Sequence, residues 1–312
     1  MIKAIGGLIL SAIVVLFGTA ILTFALLWNA PGDPAQAIAM ARFDALLTQD
    51  VVNQVREEVG LNRPFWQAFG DWLGPLLRLD LGYSAVTGRP VWPDLRASIA
   101  YTFPLAFAAL AVGLAISIPL AILATKRPGS WLDRFSVGIA SLGNAIPAYW
   151  LGLLLILIFA VKLAWLPALG ASTPAHAILP ALTLGLGVAA SLTRIIRSGI
   201  LEARGQPFLP AFRRRGVAAR SIGRDHIAPH AAIPVVTVFG LELAFLLEGL
   251  VLVEVIFGRP GLGTFLVQAI LSRDFSHVQA VVVLTALVFV TVNLVIDLIY
   301  RAIDPRIGET NA

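Results

Sequence analysis

Cysteine is absent from the 312-residue chain, and charged side chains make up only 13% of the sequence. Without cysteine the chain has no disulfide framework, thiolate zinc site, iron–sulfur cluster or cysteine nucleophile. Soluble domains carry ~25% charged residues, whereas here 58% of the side chains are hydrophobic and the mean hydropathy is +0.86. So few polar groups cannot cover the surface of a water-soluble protein. The composition therefore predicts a membrane protein.

Lysine is also rare, and its positions exclude one kind of nucleotide site. The lysines are Lys3, Lys126 and Lys162, and none follows a glycine. A P-loop requires Gly-Lys followed by Ser or Thr, so we expect no ATP site of that kind and no cofactor in this chain. The sequence shows no Gly-x-Ser-x-Gly elbow and no plausible serine triad. No catalytic residue is therefore predicted.

Two histidines, His226 and His230, have a spacing that can place two metal ligands on one helix face. Pro229 lies between them, and no cysteine or zincin glutamate is adjacent. A junction between a loop and a helix is therefore the favoured interpretation, and a metal site is the alternative.

Long uncharged runs predict six membrane-spanning helices. About 20 mostly apolar residues, at ~1.5 Å each, are needed to cross ~30 Å of hydrocarbon. The runs predict spans near residues 4–28, 101–124, 135–161, 177–199, 231–257 and 279–300, with a loop at 163–176. The first run could instead be a signal peptide, but it is much longer than the ~7–15-residue core of one. A retained first helix is the favoured interpretation.

Basic residues are distributed unevenly between the two sides of these spans. With six spans both termini lie on one side, which receives 14 of the 23 arginines and lysines. The opposite side has nine basic residues and nine acidic ones. Cytoplasmic loops carry the excess of Arg and Lys, so both termini and the 200–230 loop are predicted to be cytoplasmic. The net charge of +5 is then a topology signal, and no nucleic-acid partner is expected.

The segment 29–98, between the first two spans, contains an aromatic helical pattern. Its apolar residues recur with helical spacing at Phe65, Trp66, Phe69, Trp72, Leu73, Leu76 and Leu77. One interpretation is an interfacial helix whose aromatic face lies on lipid headgroups. The alternative is a cover over a substrate entrance.

The 200–230 loop mixes arginines with large apolar residues. The topology signal explains the arginines, but it does not explain the Phe-Leu-Pro-Ala-Phe sequence at 208–212. Clustered aromatics flanked by arginines are typical of a helix that docks into a protein groove. The loop is therefore predicted to dock onto a partner protein.

A family resemblance begins in the same loop. The stretch 205–217, followed by His226 and Ile233-Pro234-Val235-Val236-Thr237, resembles the cytoplasmic loop of binding-protein-dependent dipeptide, oligopeptide and nickel permeases, which are ABC importers. Motifs similar to those of the first permease subunit in that group follow in order along nearly the whole chain. They include Pro31-Gly32-Asp33-Pro34, Asp80-Leu81-Gly82-Tyr83-Ser84, Ile146-Pro147, Pro260-Gly261-Leu262-Gly263 and Asp304-Pro305-Arg306.

The resemblance implies an all-α membrane protein with the type I ABC importer permease fold, in the plasma (inner) membrane of a bacterium. The chain would divide into a first transmembrane helix at 1–28, an extracytoplasmic segment at 29–98, a five-helix permease core at 99–305 and a cytoplasmic tail at 306–312. A second permease would complete the translocation path within the lipid bilayer. Two ATPase subunits would bind ATP and Mg, and an extracytoplasmic binding protein would deliver the substrate.

The resemblance also assigns a coupling helix that docks onto the ATPase. It would use Phe208, Leu209, Ala211, Phe212, Arg213, Arg214, Arg215 and Gly216. This chain departs from the family at Pro210, where a charged or polar residue is usual, and at Phe212, where a small residue is usual. Because proline is tolerated only in the first helical turn, the helix is predicted to begin near Leu209.

Three glutamates in the fifth predicted span are candidates for the substrate path: Glu242, Glu248 and Glu254. A carboxylate within the bilayer costs ~2.5–3.5 kcal/mol or more, so it usually faces a cavity or a partner. Spacings of six residues turn a helix by ~240°, so the three acids are predicted to face three directions, with Glu254 hydrated near the outer end. A path that prefers positive charge and a contact with the second permease both remain open.

The sequence thus predicts a permease subunit of an ATP-driven importer, and not an enzyme. Its substrate would be a peptide or a nickel or other metal chelate, and Gly205-Gln206 is slightly closer to the nickel type. The alternative functions are a stand-alone secondary transporter or channel, which often has inverted repeats, and an intramembrane enzyme. The sequence shows neither an inverted repeat nor a paired set of catalytic groups.

Overall fold

The computed structural model describes residues 2–43 and 48–303, and every regular element in these ranges is helical. One isolated bridge pairs Tyr83 with Pro90. The described ranges contain thirteen α-helices: α1 (Ile2–Trp28), α2 (Pro34–Phe43), α3 (Gln49–Glu58), α4 (Phe65–Leu76), α5 (Val91–Lys126), α6 (Trp131–Ala145), α7 (Ala148–Leu155), α8 (Ile178–Arg204), α9 (Leu209–Arg214), α10 (Ala219–Ser221), α11 (Ala228–Ile256), α12 (Leu262–Leu271) and α13 (Phe275–Ile303).

Apolar helices account for the predicted membrane spans. Within the described ranges, four continuous helices are long and apolar enough to cross a bilayer: Gly6–Trp28, Val91–Lys126, Pro174–Arg204 and Phe275–Ile299. Two bent pairs also qualify: Trp131–Gly143 with Ala148–Lys162, and Ala219–Val236 with Val238–Ile256. The all-α fold class is confirmed, and the spans number six when each bent pair counts as one.

The third predicted span, 135–161, is not one straight helix, which corrects the sequence prediction. The chain bends by 100° between α6 and α7. Pro147 lacks an N–H and disfavours helical geometry in the residue before it, and Ile146 is extended, with φ −85° and ψ 121°. The end of this span, Ile156–Lys162, is a π-helix.

The fifth predicted span, 231–257, starts earlier than expected. It is α11, which follows directly from a π-helix at Ile222–Ile227. The bent pair that contains α11 turns by 40°. Pro234, which cannot donate to the helical hydrogen-bond ladder, lies within one turn of this bend.

The chain divides into two compact units. The first comprises the chain up to Thr102 together with Pro260–Val290, and the second comprises Phe103–Arg259 with the residues from Thr291 onward. This grouping joins the 260–290 stretch to the N-terminal region, which a division along the linear sequence does not reveal. The cytoplasmic tail predicted at 306–312 lies outside the described residues.

In the second unit, α8 is the central helix. It packs on α6, α7 and α11, and its contact with α5 depends on glycine. A Cβ atom on Gly113 would lie 2.6 Å from Val188, and one on Gly185 would lie 2.6 Å from Val112. Small residues let membrane helices approach closely in this way. The position of α8 is therefore fixed by contacts along much of its length.

In the first unit, an aromatic cluster joins α4 to α1. Phe69 is 5% exposed, and its ring centroid lies 5.4 Å from that of Phe24. The centroid of the Trp72 ring lies 5.7 Å from that of Phe24. The predicted aromatic helix therefore forms, and most of its aromatic face packs on α1. Trp66 remains exposed.

Candidate functional site in α9 and α11

A short helix, α9, forms in the middle of the loop that is predicted to dock onto a partner. Pro210 lies in its first turn, so the predicted start of the helix is confirmed. At its end, the Gly216 N–H donates to the Arg213 carbonyl oxygen at 3.1 Å. Gly216 has φ +74°, a left-handed conformation that is common for glycine just after a helix.

One face of α9 packs on helices of its own chain. Leu209 is only 1% exposed. Phe212 stacks on His226, with ring centroids 4.1 Å apart and planes 16° apart. Phe208, just before the helix, lies 5.3 Å from His230. These two contacts, called the Phe–His pairs below, run antiparallel because the lower-numbered phenylalanine contacts the higher-numbered histidine.

The junction between the π-helix and α11 positions the two histidines. Nδ1 of His230 lies 2.8 Å from the carbonyl oxygen of His226, so the two rings are one helical turn apart. Both histidines lie within a continuous helical stretch that begins at Ala219, so the predicted junction between a loop and a helix is wrong at this position. In the part of the chain that the structure describes, no group of three or more His, Asp or Glu side chains is arranged to hold a metal ion.

The opposite face of α9 and the turn after it are exposed. The exposed residues are Pro210, Ala211, Arg213, Arg214, Arg215 and Gly216. This face carries three consecutive arginines and is strongly basic. The predicted docking residues are therefore divided between two faces. Leu209 is buried in its own chain, which corrects its assignment as a partner contact, and Phe208 and Phe212 are half-buried against the histidines.

Two arginines fasten the end of α8 nearest α9 to neighbouring helices. Arg197 donates two hydrogen bonds to Asp133 of α6, at 2.5 and 2.8 Å. Arg204 donates to the carbonyl oxygen of Thr125 at the end of α5. The sequence predictions used both arginines only as topology signals and missed these contacts. One signal for the role of Asp133 was present in the sequence. Its spacing from Ser130 is typical of a helix cap.

The three glutamates of α11 have three different environments, as their six-residue spacing predicted. Glu242 is half-buried and lies near Ser191 and Arg194 of α8. Glu248 is exposed, whereas Glu254 is 0% exposed. The prediction that Glu254 is hydrated near the outer end is wrong, because its side chain has no exposed surface. A side chain with no exposed surface does not line an open path.

Glu248 lies in an otherwise apolar exposed stripe of α11. The exposed apolar members of the stripe are Leu241, Phe245, Leu252 and Val255. With Glu248 they recur at alternating steps of four and three residues, the spacing of a helix-packing seam. A carboxylate in such a stripe must meet a polar partner or water when the helix lies in a membrane.

The first unit contains a buried Ser–Asp–His cluster that the sequence did not predict. Ser84 donates to Asp274, and Nδ1 of His277 lies 2.6 Å from the same carboxylate. Burial raises the pKa of Asp274, but the hydrogen bonds from His277 and Ser84 outweigh it and hold this pKa below its usual range. A serine nucleophile needs a histidine beside its hydroxyl, whereas here the carboxylate lies between them. The cluster therefore joins the turn at Ser84 to the start of α13 and has no catalytic geometry.

Two protein-family models match the chain. The model described as the binding-protein-dependent transport system inner membrane component matches residues 117–309. An N-terminal model for binding-protein-dependent transport system membrane components matches residues 1–106. This chain belongs to the binding-protein-dependent transport system inner membrane component family. It is therefore a permease subunit of an ABC importer and a multi-pass inner-membrane protein, and ATP hydrolysis is carried out by separate ATPase subunits.

Curated relatives resemble this permease over nearly its whole length. The glutathione transport system permease protein GsiC of Escherichia coli O6:H1 is 37% identical over 299 residues, which cover 96% of each chain. The protein of the same name from Pectobacterium atrosepticum is 37% identical over 306 residues, covering 98% of this chain and 97% of the relative.

Solved ABC transporters share the fold of this permease. A chain from inward-facing conformations of the MetNI methionine ABC transporter has a TM-score of 0.56 at 22% identity, covering 67% of this chain and 95% of that one. A chain from an amino acid ABC transporter with histidines has a TM-score of 0.54 at 20% identity, covering 67% and 94%. Together with the family, these likenesses confirm the predicted importer permease fold.

Proposed function

We propose that this permease pairs with a second permease, binds two ATPase subunits through the exposed face of α9, and imports a peptide-like substrate that an extracytoplasmic binding protein delivers. Both termini and α9 lie in the cytoplasm, and the ATPases hold ATP and Mg. The observation that carries this proposal is the division of α9 into one face held by its own chain and one exposed basic face.

The exposed face of α9 has the chemistry of a docking surface. Arg213, Arg214 and Arg215 provide positive charge, while Pro210 and Ala211 are small enough for a partner to approach the helix closely. Opposite charges across an interface guide association and fix its register. We therefore expect the ATPase subunit to present a groove with acidic groups at its rim.

The buried face of α9 connects the docking surface to the membrane helices. The Phe–His pairs link α9 to the start of α11, which also carries Glu242 and Glu248. In turn, α11 packs along α8, which the Arg197–Asp133 pair joins to α6. A displacement of α9 by the ATPase would therefore move α11 and, through it, α8.

Peptide-like cargo is supported by the relatives, which are named as glutathione transport permeases. The exposed carboxylate of Glu248 favours a path that accepts positively charged groups. A nickel or other metal chelate is the alternative cargo, and it rests only on the sequence resemblance.

Transport in vesicles tests the proposal. Vesicles that contain both permeases and the ATPases should take up glutathione or a dipeptide only when ATP and the binding protein are present. Changing Arg213, Arg214 and Arg215 together to Glu should abolish uptake, because the reversed charge repels an acidic groove. The matched control is Arg224→Glu, at a residue whose side chain is 82% exposed, and it should retain uptake. Uptake without ATP would contradict the importer function, and uptake of a nickel chelate alone would overturn the peptide assignment.

A further inference from the structure

The first unit contains a cavity of about 460 Å³. It is lined by the last turns of α1, by α2, by the α3–α4 region and by the first turns of α13. Small-molecule sites occupy roughly 300–1,000 Å³. The cavity is therefore large enough for an organic ligand, and neither α9 nor α11 contributes to it.

A mostly buried polar side chain lines this cavity. Gln279, on the second turn of α13, is only 7% exposed. The amide atoms of Gln279 are not among the fully enclosed, unpaired side-chain atoms of the described residues, so the amide is accessible from the cavity. An amide both donates and accepts hydrogen bonds, so it suits a ligand that brings both an acceptor and a donor. A peptide group does so.

Two tryptophans form apolar walls of the cavity. Trp28 comes from α1 and Trp72 from α4. Both rings lie against Phe24, with centroid distances of 5.8 and 5.7 Å respectively. Aromatic walls bind aliphatic or aromatic groups through large apolar contacts. They therefore suit an apolar side chain of the ligand.

Charges of both signs lie among the lining residues. Arg63 and Asp71 form an ion pair at 2.5 Å, and each side chain is about half exposed, at 52% and 51%. Arg56, which is held by Asp33 at 2.5 Å, also lines the cavity. A guanidinium binds a carboxylate through charge-assisted hydrogen bonds, and a carboxylate binds an ammonium group. The more exposed part of the cavity thus suits a zwitterion.

We infer that this cavity is a binding site for a short zwitterionic peptide. Its peptide group pairs with the Gln279 amide, an apolar side chain lies against the wall that Trp28 and Trp72 form, and its charged termini meet Arg63 and Asp71. A lipid acyl chain in the same position would give the Gln279 amide no hydrogen-bonding partner, which favours a peptide. The choice of a peptide rests in part on the cargo proposed above, but the site is separate from the binding protein and from α11.

Binding of radiolabelled alanyl-phenylalanine tests this site. The complex of both permeases and the ATPases is placed in nanodiscs, without ATP and without binding protein. Wild type should bind the dipeptide saturably, and Gln279→Leu should bind it about tenfold more weakly, because it loses the amide that hydrogen-bonds the peptide group. Gln268→Leu is the matched control, at an exposed position on α12 of the same unit, and it should bind like wild type. An N-acetylated, C-amidated form of the dipeptide should bind the wild type more weakly, which tests the charged rim without any substitution.

Several outcomes would overturn the site. They are an absence of saturable binding to wild type, equal binding by Gln279→Leu, or a co-purified phospholipid that wild type retains and Gln279→Leu loses. ATP-driven uptake, measured in vesicles with the binding protein, separates this inference from the proposed function. Normal uptake without direct binding of the dipeptide would contradict only the cavity site. Direct binding of the dipeptide without any peptide uptake would contradict the proposed function.

Discussion

At the residue scale, Glu248 differs from the other two glutamates of α11 because its side chain is exposed. Glu248→Gln removes one negative charge and keeps the shape of the side chain. A charge pair at ~4 Å in water is worth ~1 kcal/mol, so uptake of a cationic peptide should fall about fivefold relative to that of a neutral one. Uptake of the two peptides in vesicles measures this ratio.

The matched control for that charge is Glu202→Gln, at an exposed position on α8, which should leave the ratio unchanged. Equal losses for cationic and neutral peptides would rule out charge selection by Glu248. A complex that dissociates would instead assign this carboxylate to the contact with the second permease.

The Ser–Asp–His cluster of the first unit makes a prediction about pH. Asp274 has a lowered pKa in the folded protein, so its stabilising contribution is full above its unfolded pKa of about 3.9 and is lost as the pH falls through the lower folded value. Asp274→Asn should reduce the free energy of unfolding by about 1–3 kcal/mol at neutral pH. It should also weaken the pH dependence of this free energy below about pH 4.

Denaturant unfolding in detergent, between neutral and acidic pH, measures both effects. The control is Asp50→Asn, at an exposed position on α3, which should behave much like wild type. An Asp274→Asn protein with wild-type stability and the same pH dependence would show that the cluster does not stabilise the unit.

At the element scale, Pro210 was read correctly, whereas the break at Pro147 and the neighbours of each helix were not predicted. Pro210 located the start of α9, because proline is restricted to the first turn. The apolar run at 135–161 predicted one span, since hydrophobicity does not record the 100° bend before α7. The burial of Glu254 and the Phe–His pairs depend on which helices meet. Spacing along one helix shows which residues share a face, but it does not show what that face contacts.

The contact between Phe212 of α9 and His226 leads to a prediction about the coupling of ATP hydrolysis to uptake. Phe212→Ala removes the stack on His226, which is worth roughly 0.5–1.5 kcal/mol beyond its buried area. The ATPases should still hydrolyse ATP, but uptake per ATP hydrolysed should fall several-fold because α9 then moves without α11. Simultaneous measurement of phosphate release and peptide uptake in vesicles gives this ratio.

Exchanging the two rings provides the control for that prediction. The double variant Phe212→His with His226→Phe retains a stacked pair in the same place and should recover much of the ratio that Phe212→Ala loses. If the exchanged pair is as uncoupled as Phe212→Ala, the stack does not transmit the movement. If Phe212→Ala couples normally, the pair has no part in transport.

At the scale of the whole molecule, the fold and the family could be predicted because composition, run length and motif order are properties of the sequence itself. The grouping of Pro260–Val290 with the N-terminal unit could not, because it depends on contacts between residues far apart in the chain. One example is the hydrogen bond from Ser84 to Asp274. The site was predicted in part: the exposed arginines of α9 were found, whereas the inward orientation of Leu209 was not.

The central claim is that an ATPase subunit covers the exposed face of α9, and cysteine accessibility measures this directly. The chain contains no cysteine, so Ala211→Cys and Arg224→Cys each introduce a single thiol at an exposed position. Without the ATPases, both thiols should react readily with a water-soluble maleimide. In the assembled importer, the thiol at position 211 should react about tenfold more slowly, because a docked partner excludes water, while the thiol at 224 should be unaffected. Equal reactivity at position 211 with and without the ATPases would contradict the account.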